Sequence, residues 1–440
     1  MIIGVIPPDI HEAIDATWRI ESARLIAGLL RLVRDVSLAE EFAQDALVAA
    51  LEQWPASGIP DNPGAWLMAA AKRRAIDRLR RIRMMERKHE ELGRDLEAQQ
   101  ESALADFDAP LDDPIGDDLL RLIFIACHPV LSPGARAALT LRLLGGLTTQ
   151  EIARAFLMAE PAVAQRIVRA KRTLAEAQAP FEVPRGEDLK LRLESVLEVI
   201  YLIFNEGYSA TSGEDWVRPA LCEEALRLGR ILAGLIPREP EVLGLLALME
   251  IQASRLRARM GPGGEPILLP EQNRGKWDQL LIRRGLAALE QAAALGKSAG
   301  PYVLQAAIAA CHARARTAEE TDWPRIAALY EALAQAQPSP VVDLNRAVAV
   351  GMARGPAAGL EIVEALASEP SLREYHLLPS VRGDLLMKLG RRVEAREAFQ
   401  RAAALARNAR ERTLLLGRAA ACDRGEAGPP RPGKGPQDLG

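Results

Sequence analysis

The sequence has 440 residues, of which 49% are hydrophobic, 26% charged and only 4% aromatic, and its formal net charge is −3. The near-neutral charge excludes a protein that binds polyanions through its overall charge, so any nucleic-acid affinity must come from local basic clusters. This length suits two to four domains with hydrophobic cores. The abundance of Ala, Leu and Arg predicts an all-α fold.

Four widely spaced cysteines indicate reduced thiols rather than a disulfide framework: Cys127, Cys222, Cys311 and Cys422. No group of residues has the spacing of a metal site or a phosphate-binding loop, so we expect no metal and no cofactor. The first ten residues lack the basic region of a signal peptide, and no apolar run is long enough to cross a bilayer. We therefore predict a cytoplasmic protein without a membrane partner.

Composition divides the chain into five segments. Helical patterns are predicted over residues 10–83 and 116–180, and an acidic linker, 84–115, joins them. A longer helical region, 187–424, follows the sequence "APFEVPRG". The segment 425–440 has low complexity and is expected to be disordered.

The sequence "PGAWLMAAAKRRAIDRLRRIR", residues 63–83, predicts a strongly basic helix that begins at Pro63. An apolar stripe faces inward at helical spacing: Leu67, Ala71, Ala75, Leu79 and Ile82. The rest of the surface is basic and suits DNA phosphates: Lys72, Arg73, Arg74, Arg78 and Arg80. Trp66 lies at the start of the helix, where an indole packs in the core or stacks on an exposed base. An ordinary solvated helix face has the same charge pattern, so this helix alone does not establish DNA binding. A second basic helix in the same chain would strengthen that interpretation.

Residues 147–174 supply that second basic helix in a helix-turn-helix pattern. Thr148 or Thr149 caps a first helix, and Pro161 fits the first turn of the next one. The predicted core positions of the pair are Ile152, Ala153, Phe156, Val163, Ile167, Ala170 and Leu174. The outward face of the second helix carries Gln165, Arg166, Arg169, Lys171 and Arg172. An outward basic second helix is typical of a DNA-reading motif.

Residues 10–180 resemble the two conserved domains of an extracytoplasmic-function (ECF) sigma factor. "DVSLAEEFAQDALVAALEQW" resembles the helix that binds the clamp helices of core RNA polymerase, with matching polar positions at Glu41, Gln44 and Asp45. The basic helix after Pro63 resembles the one that binds and melts the −10 promoter element, and the helix-turn-helix resembles the one that reads the −35 element. The usual glycine between the two promoter-reading helices is replaced by "FLMAEP".

The resemblance implies a role for each basic set. The residues expected to contact the −10 element are Trp66, Lys72, Arg73, Arg74, Arg78 and Arg80. The residues expected to contact the −35 element are Gln165, Arg166, Arg169, Lys171 and Arg172. The implied partners are core RNA polymerase and promoter DNA, and the chain itself is expected not to be an enzyme.

Region 187–424 contains "VLEVIYLIFNEGYSATSGEDWVRPALCEEALRLGRIL", "LPEQNRGKWDQLLI" and "PVVDLNRAVAV". With these segments it resembles a long C-terminal extension with tetratricopeptide (TPR) character that a subgroup of these factors carries. The small-and-large spacing of a TPR helix pair is found at Gly383, Ala395, Phe399 and Ala402. A partial repeat lies about 36 residues earlier, at Ala347, Gly359 and Val363. The resemblance implies that the extension regulates the factor, and that a small DGPF/YCII-related protein is a further partner.

Two other functions stay open at this point. A one-component helix-turn-helix regulator with a TPR-like sensor domain would bind operators, but it needs neither a clamp-binding helix nor a second basic helix. An enzyme could use the polar cluster in "FNEGYSATSGEDW", which contains Asn205, Glu206, Tyr208, Asp215 and Trp216. This segment has no neighbouring histidine, phosphate loop or metal ligands, so we interpret it as a structural turn or a regulatory contact.

Overall fold

The computed structural model describes residues 8–89, 115–156, 158–209, 217–296 and 298–424. These ranges contain eighteen α-helices, several short 3-10 turns and one isolated β-bridge, and they hold no β-strand. The all-α prediction is confirmed. The chain forms two compact units, Met1–Ile203 and Phe204–Gly440. None of the helices in the described ranges is both long and apolar enough to span a bilayer.

The first unit begins with three long helices: α1 (Pro8–Val33), α2 (Val36–Ser57) and α3 (Pro63–His89). Asp35 caps α2 by accepting a hydrogen bond from the backbone N–H of Leu38 at 2.8 Å. Asn62 caps α3 in the same way through the N–H of Ala65 at 3.1 Å. The sharp connection between α2 and α3 begins at Gly58, whose φ of +82° favours glycine.

Five more helices follow in the first unit: α4 (Ile115–Ala126), α5 (Pro133–Leu143), α6 (Thr149–Ala155), α7 (Glu160–Glu176) and α8 (Gly186–Tyr208), whose last turn crosses into the second unit. A capping box starts α6, because the Thr148 hydroxyl accepts from the N–H of Glu151 while the Glu151 carboxylate accepts from the N–H of Thr148. Of the two residues predicted as the cap, Thr148 is therefore the one that caps α6. The predicted core stripe of α7 is buried at Val163, Ile167, Ala170 and Leu174, and Phe156 is only half-buried.

The second unit consists of successive α-helices. Its helices are α9 (Pro219–Leu235), α10 (Pro240–Ala253), α11 (Gln279–Ala294), α12 (Pro301–Arg314), α13 (Trp323–Ala336), α14 (Pro340–Arg354), α15 (Pro356–Ala365), α16 (Leu377–Lys388), α17 (Arg392–Leu405) and α18 (Ala409–Arg424). Most helices pack chiefly on those next to them in the sequence, which is the organisation of a helical repeat array, but α12 packs mainly on α10 rather than on α11.

Small residues permit the close helix contacts that the sequence predicts in this array. A Cβ at Gly383 of α16 would lie 2.7 Å from the ring of Phe399 in α17, and Phe399 is fully buried. A Cβ at Gly359 of α15 would lie 2.6 Å from the carbonyl oxygen of Ala347 in α14. Neither position has room for a larger side chain. The predicted packing of a small residue against a large one is present between α16 and α17, whereas α14 and α15 meet through small residues on both helices.

Some predictions concern residues outside the described ranges. These are most of the acidic linker, the tail 425–440, Asp215 and Trp216. The helix α3 continues through residues 84–89, beyond the end predicted for the first segment. Its last turns read "MMERKH", a run of mostly good helix formers that nothing interrupts.

Candidate DNA and polymerase interface

The helix α3 has a basic face opposite its buried stripe. Leu67, Ala71 and Ala75 are buried against the other helices of the first unit, as the periodicity predicts. Three of the predicted phosphate-binding residues are exposed and two are half-buried: Arg73, Arg78 and Arg80 in the first group, Lys72 and Arg74 in the second. The exposed guanidinium groups can reach a phosphate without a change in the helix.

Two arginines of α3 face two carboxylates of α2. The Nη1 of Arg74 donates to the backbone oxygen of Asp45 at 2.5 Å and lies 3.6 Å from its Oδ1. The Nη1 of Arg78 lies 4.0 Å from Oε1 of Glu41. Both ion pairs are solvent-exposed, so each is worth about 1 kcal/mol or less. The predicted polymerase-binding carboxylates therefore lie beside the predicted DNA-binding arginines and are easily released from them.

Trp66 packs on a second tryptophan at the start of α3. Its ring meets that of Trp54 edge to face, with centroids 5.4 Å apart and an interplanar angle of 66°. Trp54 is fully buried and Trp66 is half-buried. Of the two predicted positions for this indole, the structure favours core packing, with part of the ring left accessible.

The helix α7 presents a second polar face. Gln165, Arg169 and Arg172 are exposed, and Arg172 forms an ion pair with Glu176 at 2.6 Å. The half-buried guanidinium of Arg166 lies over Gly134, where a Cβ would come within 3.1 Å of Nη1.

Lys171 differs from the other predicted residues of α7 because it is directed at α2. Its ammonium group donates to Oε2 of Glu40, while Nε of Arg142 donates to Oε1 of the same carboxylate at 2.5 Å. Gln44 also donates to Glu40 Oε1, at 2.8 Å. The prediction that Lys171 faces outward is therefore wrong for this structure. The helical period separates the inner and outer sides of α7, but it does not show that α2 covers one edge.

The charge on Glu40 is stabilised although its side chain is only 5% exposed. Burial by itself would raise the pKa of this carboxyl group. The positive charges and hydrogen bonds of Lys171 and Arg142 outweigh that effect and hold its pKa below the ordinary value. Glu40 is therefore ionised at neutral pH and joins three side chains from three helices.

Comparison with known proteins identifies three successive parts of the chain. The model of Sigma-70 region 2 matches residues 20–84, that of Sigma-70 region 4 matches 121–174, and a family of unknown function (DUF6596) matches 192–293. A probable ECF RNA polymerase sigma factor SigI of Mycobacterium tuberculosis is 26% identical over 173 residues, which cover 39% of this chain and 58% of that protein. The chain is an ECF-like sigma factor of the sigma-70 family.

A second relative extends over nearly the whole chain. An uncharacterized protein of Rhizobium meliloti (strain 1021) is 47% identical over 392 residues, which cover 89% of this chain and 91% of that protein. The sigma factor therefore shares its additional C-terminal domain with a protein of similar length. Members of the sigma-70 family bind core RNA polymerase and promoter DNA, and sigma factor families are not enzymes.

The region 2 match covers the second half of α1, all of α2 and most of α3, and the region 4 match covers the second half of α4, α5, α6 and most of α7. Sequence reasoning identified Gln44 in region 2 and Lys171 in region 4 but missed Glu40 and Arg142, which connect them. Arg142 gives a usable signal, because it interrupts the apolar run "LTLRLL", and a charged side chain in such a run needs a partner. The sequence gives no comparable signal for Glu40, because other acidic residues lie close to it in the sequence.

Sequence reasoning also missed Val168 on α7. Its side chain is 65% exposed, although it lies between the buried Ile167 and the exposed Arg169. An exposed apolar side chain on such a helix can contact the methyl group of thymine in the major groove. The sequence does contain a signal for this residue, because Val168 is apolar and lies outside the stripe that the helical period predicts to be buried.

The polar segment after region 4 makes structural contacts in the second unit. The three described residues predicted there lie in the last turn of α8: Asn205, Glu206 and Tyr208. Asn205 is half-buried, and Glu206 forms an ion pair with Arg218. The ring of Tyr208 stacks on Phe204 at 5.6 Å and carries the guanidinium of Arg259 at 3.8 Å on its face. These contacts fix the end of α8 and support the structural interpretation of this segment.

Proposed function

We propose that the sigma factor directs promoter-specific initiation through three surfaces. Core RNA polymerase binds α2 through Glu41, Gln44 and Asp45. The −10 element binds α3, and the −35 element binds α7. The observation that carries this proposal is the exposed basic face of α3 beside the carboxylates of α2 within a region 2 match.

On α3, the exposed Arg73, Arg78 and Arg80 supply the first phosphate contacts. Lys72 and Arg74 join them at the half-buried edge of the same face, and Trp66 supports the loop before the helix. The weak ion pairs of Arg74 and Arg78 with α2 exchange for phosphates at little cost, because exposed pairs contribute little. Each neutralised phosphate releases counterions, which favours binding.

On α7, Gln165, Arg166 and Arg169 read base edges in the major groove, where glutamine and arginine side chains form paired hydrogen bonds. Arg172 contacts the phosphate backbone at the far end of the helix. Lys171 is bonded to Glu40 of α2 and is not one of these contacts.

The C-terminal extension regulates the factor through α8. The N-terminal half of α8 is bonded to region 4, where the buried Arg136 donates to Ser195 and to Glu198, the latter at 3.0 Å. Ser195 donates to the backbone oxygen of Cys127 at 2.6 Å. The same helix continues to Tyr208, so a movement of the extension would act directly on region 4. The DGPF/YCII-related partner stays a prediction.

The decisive test is transcription by purified core RNA polymerase from DNA upstream of the factor's own operon. Specific transcripts that disappear in the Gln44→Ala, Asp45→Ala double variant would support polymerase binding through α2. A matched control is Arg283→Ala together with Arg284→Ala, since both side chains are exposed on α11. Binding to DNA without any binding to core polymerase would favour the one-component regulator instead.

Regulation is tested by a truncation after residue 203 rather than near 185. A truncation near 185 removes Ser195 and the buried face of α8, which are part of the first unit. Transcription that differs at least several-fold between the full chain and the truncated, folded protein supports regulation. Equal output from the two proteins would refute it.

A further inference from the structure

The longest connection between two helices of the second unit, residues 254–278, joins α10 to α11. It contains three 3-10 turns and the isolated β-bridge between Met260 and Pro266. Long structured connections are usually functional, and insertions in a helical array often lie on its binding face. The connection falls within the match to the family of unknown function, 192–293. Its side chains are therefore candidates for a function that regions 2 and 4 do not have.

Two arginines of this connection lie against the ring of Trp277, which is 4% exposed. The guanidinium carbon of Arg274 is 4.8 Å from the ring centroid, and that of Arg255 is 5.8 Å away. Both arginines are half-buried, so a ligand can approach them from the surface. A cation–π contact attracts a guanidinium group but does not neutralise its charge.

The hydrogen-bond acceptors of the two guanidinium groups are uncharged. Nη2 of Arg255 donates to the hydroxyl of Tyr208 at 2.6 Å. Arg274 donates to the backbone oxygens of His312 and Ala315, at 2.5 and 2.7 Å, and to a threonine hydroxyl. Among the described residues, no carboxylate lies within ion-pair distance of either group.

Neighbouring groups respond to this positive charge. Burial and the charges of Arg255 and Arg274 lower the pKa of His312 to about 4, so its imidazole is neutral at neutral pH. Glu319 and Glu320, both exposed, attract Arg274 only from a distance. A partly buried charge without a close counter-charge is costly, and a bound anion removes that cost.

Two buried donors beside these charges also have no acceptor. Nε of Arg255 and Nε1 of Trp277 are buried, and neither donates to another described group. They belong to adjacent side chains, because the guanidinium group of Arg255 lies over the Trp277 ring. Unsatisfied buried donors are rare in folded proteins and call for a specific explanation. An oxyanion would supply acceptors to both donors and negative charge to both arginines.

We propose that Arg255, Arg274 and Trp277 form a site for a small ligand that carries a phosphate or carboxylate group. This ligand is the signal to which the C-terminal extension responds. Tyr208, which accepts from Arg255, lies in the last turn of α8, and the other half of α8 is bonded to region 4 through Arg136. The signalling role rests on the proposed function, whereas binding can be measured without it.

Calorimetric titration of the full-length protein with inorganic phosphate and with succinate, at constant ionic strength, tests the site. Arg255→Gln should weaken binding about tenfold or more, because it removes a charged donor. Arg401→Gln removes the same charge from an exposed position on α17 and should leave the affinity unchanged. Trp277→Phe keeps an aromatic ring without the N–H and should weaken binding several-fold. It is also the second variant if Arg255→Gln fails to fold.

The indole N–H resonance of Trp277 locates the bound anion. The chain has six tryptophans, so the resonance is assigned by its absence from Trp277→Phe. A new hydrogen bond should move it downfield, with the Kd that calorimetry gives. Transcription by core polymerase tests the signal: output should change several-fold on saturation with the anion, and Arg255→Gln should abolish the change.

The results separate the site from its role. Binding of neither anion, or equal binding by the wild-type protein and both site variants, overturns the site. Binding of one anion alone supports it and assigns the ligand to phosphates or to carboxylates. A bound anion that leaves transcription unchanged overturns the signalling role. If the wild-type protein supports no transcription at all, the proposed function fails, whereas the titrations still decide whether the site exists.

Discussion

Arg136 in α5 and Glu198 in α8 form an ion pair at 3.0 Å, across the junction between region 4 and the first helix that follows it. Arg136 is 8% exposed and also donates to Ser195, so its charge is nearly buried. Glu198 is mostly exposed. The junction is therefore held by a buried guanidinium rather than by a surface ion pair.

The Arg136→Ala substitution should detach α8 from region 4. Ser195 and Glu198 both lose a charged donor, and hydrogen bonds of this kind contribute about 1.5–3 kcal/mol. We expect the free energy of unfolding of the first unit to fall by about 2 kcal/mol, with faster amide exchange in α8. Glu198→Gln is the control and should cost less than about 1 kcal/mol, because its side chain is exposed. Equal effects of the two substitutions would contradict a buried anchor.

The capping box of α6 gives a paired test. Thr148→Ala removes the hydroxyl that caps the helix and should reduce the free energy of unfolding by about 1 kcal/mol. Thr149→Ala lies one residue further along, inside the helix, and should be close to neutral or stabilising because alanine is the better helix former. Thermal unfolding of the two variants measures the difference. The opposite order would mean that Thr149 provides the cap.

These two threonines also show how far sequence reasoning reached. The caps, the buried stripes and the basic faces were predictable, because each depends on residues within two or three helical turns. The sequence limited the cap of α6 to Thr148 or Thr149, and only the structure distinguished them. Likewise, the helical period predicted the buried side of α7 correctly but could not orient Lys171.

The interface around Glu40 was beyond prediction for a physical reason. Glu40 and Lys171 are 131 residues apart, and most of the segment that connects the two regions carries no periodic signal. A helical period or a cap describes contacts within one helix. It does not show which charged side chain at the edge of a buried stripe meets a partner in a distant part of the chain. The small residues Gly359 and Gly383 were easier, because their partners lie in the adjacent helix.

The basic face of α3 predicts a measurable salt dependence. If Arg73 and Arg80 each contact one phosphate, each alanine substitution should reduce the slope of log affinity against log salt by about 1. Affinity for promoter DNA should fall with little regard to sequence. Arg284→Ala, on the exposed face of α11 in the second unit, should leave the slope unchanged. Slopes that are equal in all three variants would place the phosphate contacts elsewhere.

The exposed side chains of α7 predict a different pattern. Arg169→Ala should weaken binding to the cognate −35 element by about 1–3 kcal/mol and relax its sequence preference, because base contacts carry specificity. Arg172→Ala should weaken all sequences alike. Binding titrations of the polymerase holoenzyme with cognate and base-substituted promoters measure this. A uniform loss with Arg169→Ala would assign that residue to the phosphate backbone.

His312 in α12 predicts how the stability of the second unit depends on pH. Burial, helped by the positive charges of Arg255 and Arg274, lowers the pKa of His312 to about 4, from an ordinary value of 6.5. The unfolded chain therefore binds a proton at higher pH than the folded chain does. This contribution to stability is complete above about pH 7, decreases as the pH falls below 6.5, and is lost by about pH 4.

The full effect amounts to about 3 kcal/mol for a shift of this size. Urea unfolding of the wild-type protein between pH 7.5 and 4.5 should show the loss, and His312→Gln should flatten the profile because glutamine does not titrate. The imidazole also meets the ring of Trp323 edge to face at 5.3 Å, so His312→Gln lowers stability at all pH values. The change in slope, rather than the offset, reports the buried neutral histidine.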